Sequence, residues 1–83
     1  MKKKISIQYC QVWHYTEKAV SLAAELLRQY ESQIESITLL SSDGGRYEVT
    51  VDGKLVYSKL ATGRHANPDE VEQLIGKLIY AGR

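Results

Sequence analysis

YEVTVDGKLVYS, residues Tyr47–Ser58, decides how the chain is built. Tyr47, Val49 and Val51 alternate with Glu48 and Thr50, and Leu55 and Tyr57 form a second run after Asp52-Gly53, which predicts two strands. Asp-Gly between such runs signals a hairpin, because both central residues of the turn need positive φ. No helix fits between these strands. Upstream, Lys4–Tyr9 (KISIQY) alternates as a strand, and Ala19, Val20, Ala23, Leu26, Leu27 and Tyr30 recur at helical spacing. Glu17, Lys18, Ser21, Glu25 and Arg28 take the other face of that helix. Ile34–Leu40 alternates through Ile37 and Leu39, and Ser41, Ser42, Asp43, Gly44 and Gly45 read as a loop. Downstream, Asn67 is the expected N-cap of a last helix, with Pro68 at its first position and Asp69, Glu70 and Glu72 facing the positive end of the dipole. Val71, Leu74, Ile75, Leu78 and Ile79 make its buried stripe, and Gly82 ends it.

The order β-α-β-β-β-α predicts an α/β domain with one mixed four-stranded sheet. A strand, a crossover helix and a second strand make a parallel unit; the hairpin adds antiparallel strands and the last helix covers a face. This is the minimal thioredoxin-like plan. A split βαβ ferredoxin-like arrangement needs a helix where this chain has only Asp52-Gly53.

Length and composition agree with one domain over residues 1–83: 43% hydrophobic residues, 25% charged, one proline and one cysteine. A chain this short buries only about 60% of the surface its unfolded form exposes. Small secreted folds compensate with disulfides, but Cys10 has no partner within the sequence, and a multi-cysteine zinc site is excluded with it. Cys10, His14 and His65 show no zinc-ligand spacing either. The net charge of +1 depends on Lys2, Lys3 and Lys4 at the start. Without that run the balance is acidic, so no clustered basic surface points to nucleic acid. No apolar region of about 7 to 15 residues follows the lysines as a signal peptide requires, and no stretch suits a membrane, so a cytoplasmic protein is expected.

Chemistry is expected where the first strand ends, because the carboxyl edge of an α/β sheet is where ligands collect. Cys10 stands there, before a helix whose positive end favours thiolate, and His14 four residues on is a candidate to add charge or accept a proton. The competing reading makes Cys10 a small buried hydrophobe and His14 a loop residue. Trp13 and Tyr15 suit either a contact surface for a partner or a cap on the core. Gly44 and Gly45 suit ordinary turn chemistry or an approach to the cysteine. Tyr47 and Tyr57 fit the core or a sheet face, and Arg64 and His65 a solvated loop.

Three stretches carry a longer resemblance: IQYCQVWHYTEKAVSLAAELL at Ile7–Leu27, TLLSSDGGRYEVTVDGKLVYSK at Thr38–Lys59, and TGR at Thr62–Arg64. In these the chain resembles the Rdx family, the selenoprotein W, T and H group and its bacterial relatives, from Ile5 to Ile79. The resemblance implies a thioredoxin-like fold and a glutathione-linked thiol oxidoreductase role. Members of that family carry Cys-x-x-Cys or Cys-x-x-Sec after the first strand, whereas this chain reads Cys10-Gln11-Val12-Trp13. An indole neither attacks nor resolves a mixed disulfide. The activity implied is at most that of a monothiol oxidoreductase: Cys10 is the catalytic thiol, glutathione or a protein thiol the partner, and no bound cofactor or metal is needed. The alternative is a non-enzymatic interaction module that has lost the redox pair and docks through Trp13 and Tyr15. A homodimer, through a sheet edge or a Cys10 disulfide, is compatible with either.

Overall fold

A computed structural model describes residues 2–12, 15–67 and 69–81. In chain order these form strand β1 (Lys3–Cys10), helix α1 (Thr16–Tyr30), a 3₁₀ turn (Glu31–Gln33), strand β2 (Ile34–Ser42), strands β3 (Tyr47–Val51) and β4 (Lys54–Ser58), a one-turn helix α2 (Lys59–Thr62) and helix α3 (Glu70–Ala81). The strands make one mixed four-stranded sheet, as the sequence predicts, and their order in it is β2-β1-β3-β4. β1 is parallel to β2 and antiparallel to β3, which is antiparallel to β4. The hairpin turn has φ of 52° at Asp52 and 82° at Gly53, the two positive values that Asp-Gly was expected to supply. Asp52 also ties the turn to β1: its N–H donates to the Lys4 carbonyl at 2.8 Å, and its Oδ1 accepts from the Lys4 N–H at 2.9 Å.

Alternation assigns the two faces. Ile5 and Ile7 lie opposite Val51 and Val49, Tyr57 lies opposite Val49, and all five are buried. Both long helices cover this side: the Tyr47 hydroxyl donates to the Lys18 carbonyl of α1 at 3.2 Å, and the rings of Tyr30 in α1 and Tyr80 in α3 meet edge to face at 6.1 Å. Leu26 of α1 and Ile75 of α3 complete the core, each such side chain contributing about 1.5–3 kcal/mol by leaving water. The opposite face carries Lys4, Ser6, Gln8, Thr38, Leu40, Glu48, Thr50 and Leu55, all exposed or half-buried. The molecule is therefore a two-layer structure with one open sheet face.

Three expectations about elements need correction, and one helical turn adds to the expected order. The buried line of α1 runs through Ala19, Leu22 and Leu26, while Val20 and Leu27 are exposed. At about 100° per residue those two sit on the flank of the stripe, not on its centre. Ser41 and Ser42 belong to β2, because pairing with Tyr9 and Cys10 extends the strand beyond its apolar residues. Lys59–Thr62 is a helical turn with two end signals: the Ser58 hydroxyl accepts from the Ala61 N–H at 3.0 Å, and Gly63 closes it at φ 73°. Finally, α3 begins at Glu70, because Asp69 takes a left-handed φ of 67° that no helix tolerates. Asn67 still organises that end, its N–H donating to Glu70 Oε1 at 2.9 Å while its carbonyl accepts from the Glu70 N–H at 3.0 Å. Pro68 and Gly82 lie outside the described residues.

Candidate functional site

Sheet order explains the surroundings of Cys10. β2 and β3 flank β1 on opposite sides, and β2 runs parallel to β1, so the connection between them must cross the end of β1 where Cys10 sits. Gly44 and Gly45 allow the crossing with φ of 75° and 71°. The crossing segment holds the cysteine main chain: the Cys10 N–H donates to the Arg46 carbonyl at 2.8 Å, and the Gln11 N–H donates to the Ser42 carbonyl at 3.2 Å. From the other direction, the Tyr15 N–H donates to the Cys10 carbonyl at 3.2 Å. The Gly-Gly loop thus does approach the cysteine. Cys10 itself has no exposed surface, although alternation puts it in the row of Ser6 and Gln8 on the open face.

Tyr15 is core, not contact surface. It is 8% exposed, and its ring meets His65 edge-on at 4.5 Å and Tyr47 at 6.4 Å. Tyr47 and His65 stand 6.1 Å apart, and the Lys59 ammonium lies 5.7 Å from the centre of the Tyr15 ring. The expected partner surface therefore loses Tyr15, because a ring packed on two others offers nothing to a second protein. Trp13 and His14 lie outside the described residues. Val12, which the sequence reading passed over, is 65% exposed beside the cysteine turn.

His65 also departs from expectation, since the aromatic cluster takes it out of the solvated loop. Its pKa is lowered by burial first and then by Lys18 and Lys59, so the neutral ring is favoured. Only the pattern of tyrosines, which does not reveal that Tyr15 and Tyr47 meet, bears on this in the sequence. A cleft of about 320 Å³ opens next to it, lined among others by Lys18, Glu25, Tyr47, His65, Asp69 and Glu72. Burial raises the Glu72 carboxyl, with Asp69 and Glu25 adding to the effect, and burial pushes the Tyr47 phenol up to about 12. The loop is fixed by two further contacts: the Tyr57 hydroxyl donates to the Arg64 carbonyl, and Arg64 binds Glu70 through both its terminal nitrogens, at 2.9 and 3.1 Å. Among the described residues, no group of three His, Cys, Asp or Glu side chains is placed to hold a metal ion. No described helix is long and apolar enough to cross a membrane.

What this arrangement offers chemically is a single buried thiol at the end of β1, its main chain held by the β2–β3 crossing on one side and by the Tyr15 N–H on the other. The chain matches the Rdx family over residues 4–77. It is similar to the crystal structure of a selenoprotein W-related protein from Vibrio cholerae, with a TM-score of 0.88, 26% identity and coverage of 95% of this chain and 99% of that one. It also shares the fold of a Bordetella parapertussis protein, with a TM-score of 0.86, 21% identity and coverage of 93% and 98%. No curated protein matches.

Proposed function

The chain belongs to the Rdx family, and we propose that it carries out thiol–disulfide chemistry with one sulfur, Cys10, and glutathione as co-substrate. The observation that carries this reading is the position of Cys10 at the carboxyl end of β1, under the β2–β3 crossing, in a chain related to a selenoprotein W-related protein. The Cys10 thiolate attacks a glutathionylated protein thiol, forming a mixed disulfide and releasing the protein thiolate. A glutathione thiolate then attacks the mixed disulfide, freeing Cys10 and forming glutathione disulfide. Overall one glutathione thiol is oxidised, the substrate protein's sulfur is reduced from disulfide to thiol, and Cys10 is returned unchanged. Because Cys10 is fully covered, the structure around it has to open before either attack, so the thiol is guarded. A reducing compartment, the cytoplasm, suits this chemistry.

Intact-mass spectrometry after incubation of the reduced, folded protein with glutathione disulfide tests the reading. One glutathionyl group on Cys10 is expected, lost again on adding glutathione. Absence of the adduct in the folded protein, with ready formation after unfolding, sinks it. Trp13→Cys should then add dithiol reductase activity that the parent chain lacks.

A second reading has its own support in the complete burial of Cys10: a non-enzymatic interaction module that keeps the fold and docks through Trp13. Under it, Cys10→Ser leaves partner capture intact and Trp13→Ala weakens it. The redox reading expects the reverse.

A further inference from the structure

β2 is an edge strand whose outer side has no neighbour in the sheet. Edge strands of soluble proteins are usually blunted by charge, proline or a bulge, because their unpaired N–H and C=O groups template pairing with another chain. Here an irregularity in the β1–β2 register falls between Lys3 and Lys4, opposite the start of β2, and Glu35 is the strand's only charged residue. From Ser36 to Ser42 (SITLLSS) the edge is regular, uncharged and free of proline.

The surface beside it is apolar. α1 packs on β1 and β2, while α3 packs on β4 and on the flank of α1 that carries Lys18, Leu22 and Glu25 into the cleft. The other flank of α1, the helix that packs on β2, presents Val20 at 50% and Leu27 at 39% exposure, and Leu39 on the helix side of β2 is 38% exposed.

We infer that the β2 edge is the dimer interface of this protein, occupied by β2 of a second copy in antiparallel, twofold register centred on Thr38. That register pairs the strand over its whole length. It puts Ile37 opposite Leu39 twice on the helix side, Ser36 opposite Leu40 on the open face, and Glu35 opposite the neutral Ser41. Sliding the centre to Leu39 would bring Glu35 against Asp43 of the other copy, like charge against like, so the sequence selects Thr38. The two sheets then join into one of eight strands, and Val20 and Leu27 of the two α1 helices meet over the seam.

Sedimentation equilibrium of the reduced protein, with dithiothreitol present to exclude a Cys10 disulfide, tests this. The wild type is expected to shift with concentration from 9.4 kDa toward twice that mass. Thr38 is exposed, so Thr38→Lys and Thr38→Glu should fold normally, and each alone should be monomeric because the substituted residue faces its own copy. An equimolar mixture of the two should form the heterodimer. A wild type that stays monomeric up to about 1 mM, weaker than any useful self-association, overturns the inference and leaves the edge to an extended segment of another protein. Dimers that survive Thr38→Lys, or variants that do not pair when mixed, overturn it too.

Discussion

Gly76 shows how much one missing carbon decides. It sits inside α3, where glycine costs about 1 kcal/mol relative to alanine, yet a Cβ there would run into the Tyr30 hydroxyl and lie 3.1 Å from Tyr30 Cζ. Helix propensity and steric conflict oppose each other. Gly76→Ala is therefore expected to be about 1 kcal/mol more favourable in a Tyr30→Phe background than in the wild type, a coupling read from the four urea-unfolding curves of a double-mutant cycle. Additive effects would mean that Tyr30 swings aside freely. Cys10 is the second such residue. Its reaction with an aromatic disulfide reagent should be at least roughly 100-fold slower in the folded than in the unfolded protein, which corresponds to an opening cost near 2.7 kcal/mol. Its place at the end of β1 was legible from alternation alone. Its burial was not, because alternation puts it in the row of Ser6 and Gln8 on the open sheet face, where strand periodicity alone predicts an exposed side chain.

The hairpin and the stripe of α3 are legible from their own periodicity, the stripe of α1 only in part, since Val20 and Leu27 are exposed, and elements fixed by their neighbours are not. The hairpin and the stripe of α3 carry their own signals in Asp52-Gly53 and in Val71, Ile75 and Ile79. β2 reaches Ser42 only because β1 is there to pair with it. α2 is too short for any period, although Ser58 and Gly63 mark both its ends. Its stability should rest on Ser58, which accepts from Ala61 and donates to the Glu48 carboxylate across the hairpin. Ser58→Ala is expected to cost about 1–2 kcal/mol by chemical denaturation, the range for losing a helix cap. The loss should be larger than for Thr16→Ala, since α1 has no side-chain cap at its start. Equal costs would show that the cap contributes little.

At the scale of the molecule, His65 couples the fold to pH. Its folded pKa lies below the ordinary 6.5, so the neutral ring's contribution is fully present above that value and fades as pH falls through the lowered one. Thermal melts of the wild type and His65→Gln should differ more at pH 8 than at pH 5. The change should stay below the roughly 4–8 °C that 1 kcal/mol produces in a domain of this size, because the ring is only partly buried. A difference that grows on acidification would reverse the assignment. The crossing from β2 to β3 has another consequence. It joins the two sides of β1 by a short glycine-bearing loop, and neither side alone can cover the apolar face of the central strand. Cut between Gly44 and Gly45, the chain would yield two fragments, one with β1, α1 and β2 and the other with β3, β4 and α3, each short of a core. Each should be unfolded by circular dichroism and recover the native spectrum on mixing. Such a split protein would be a reassembly reporter with the Cys10 enclosure at its seam, folded only when both fragments occupy the same compartment.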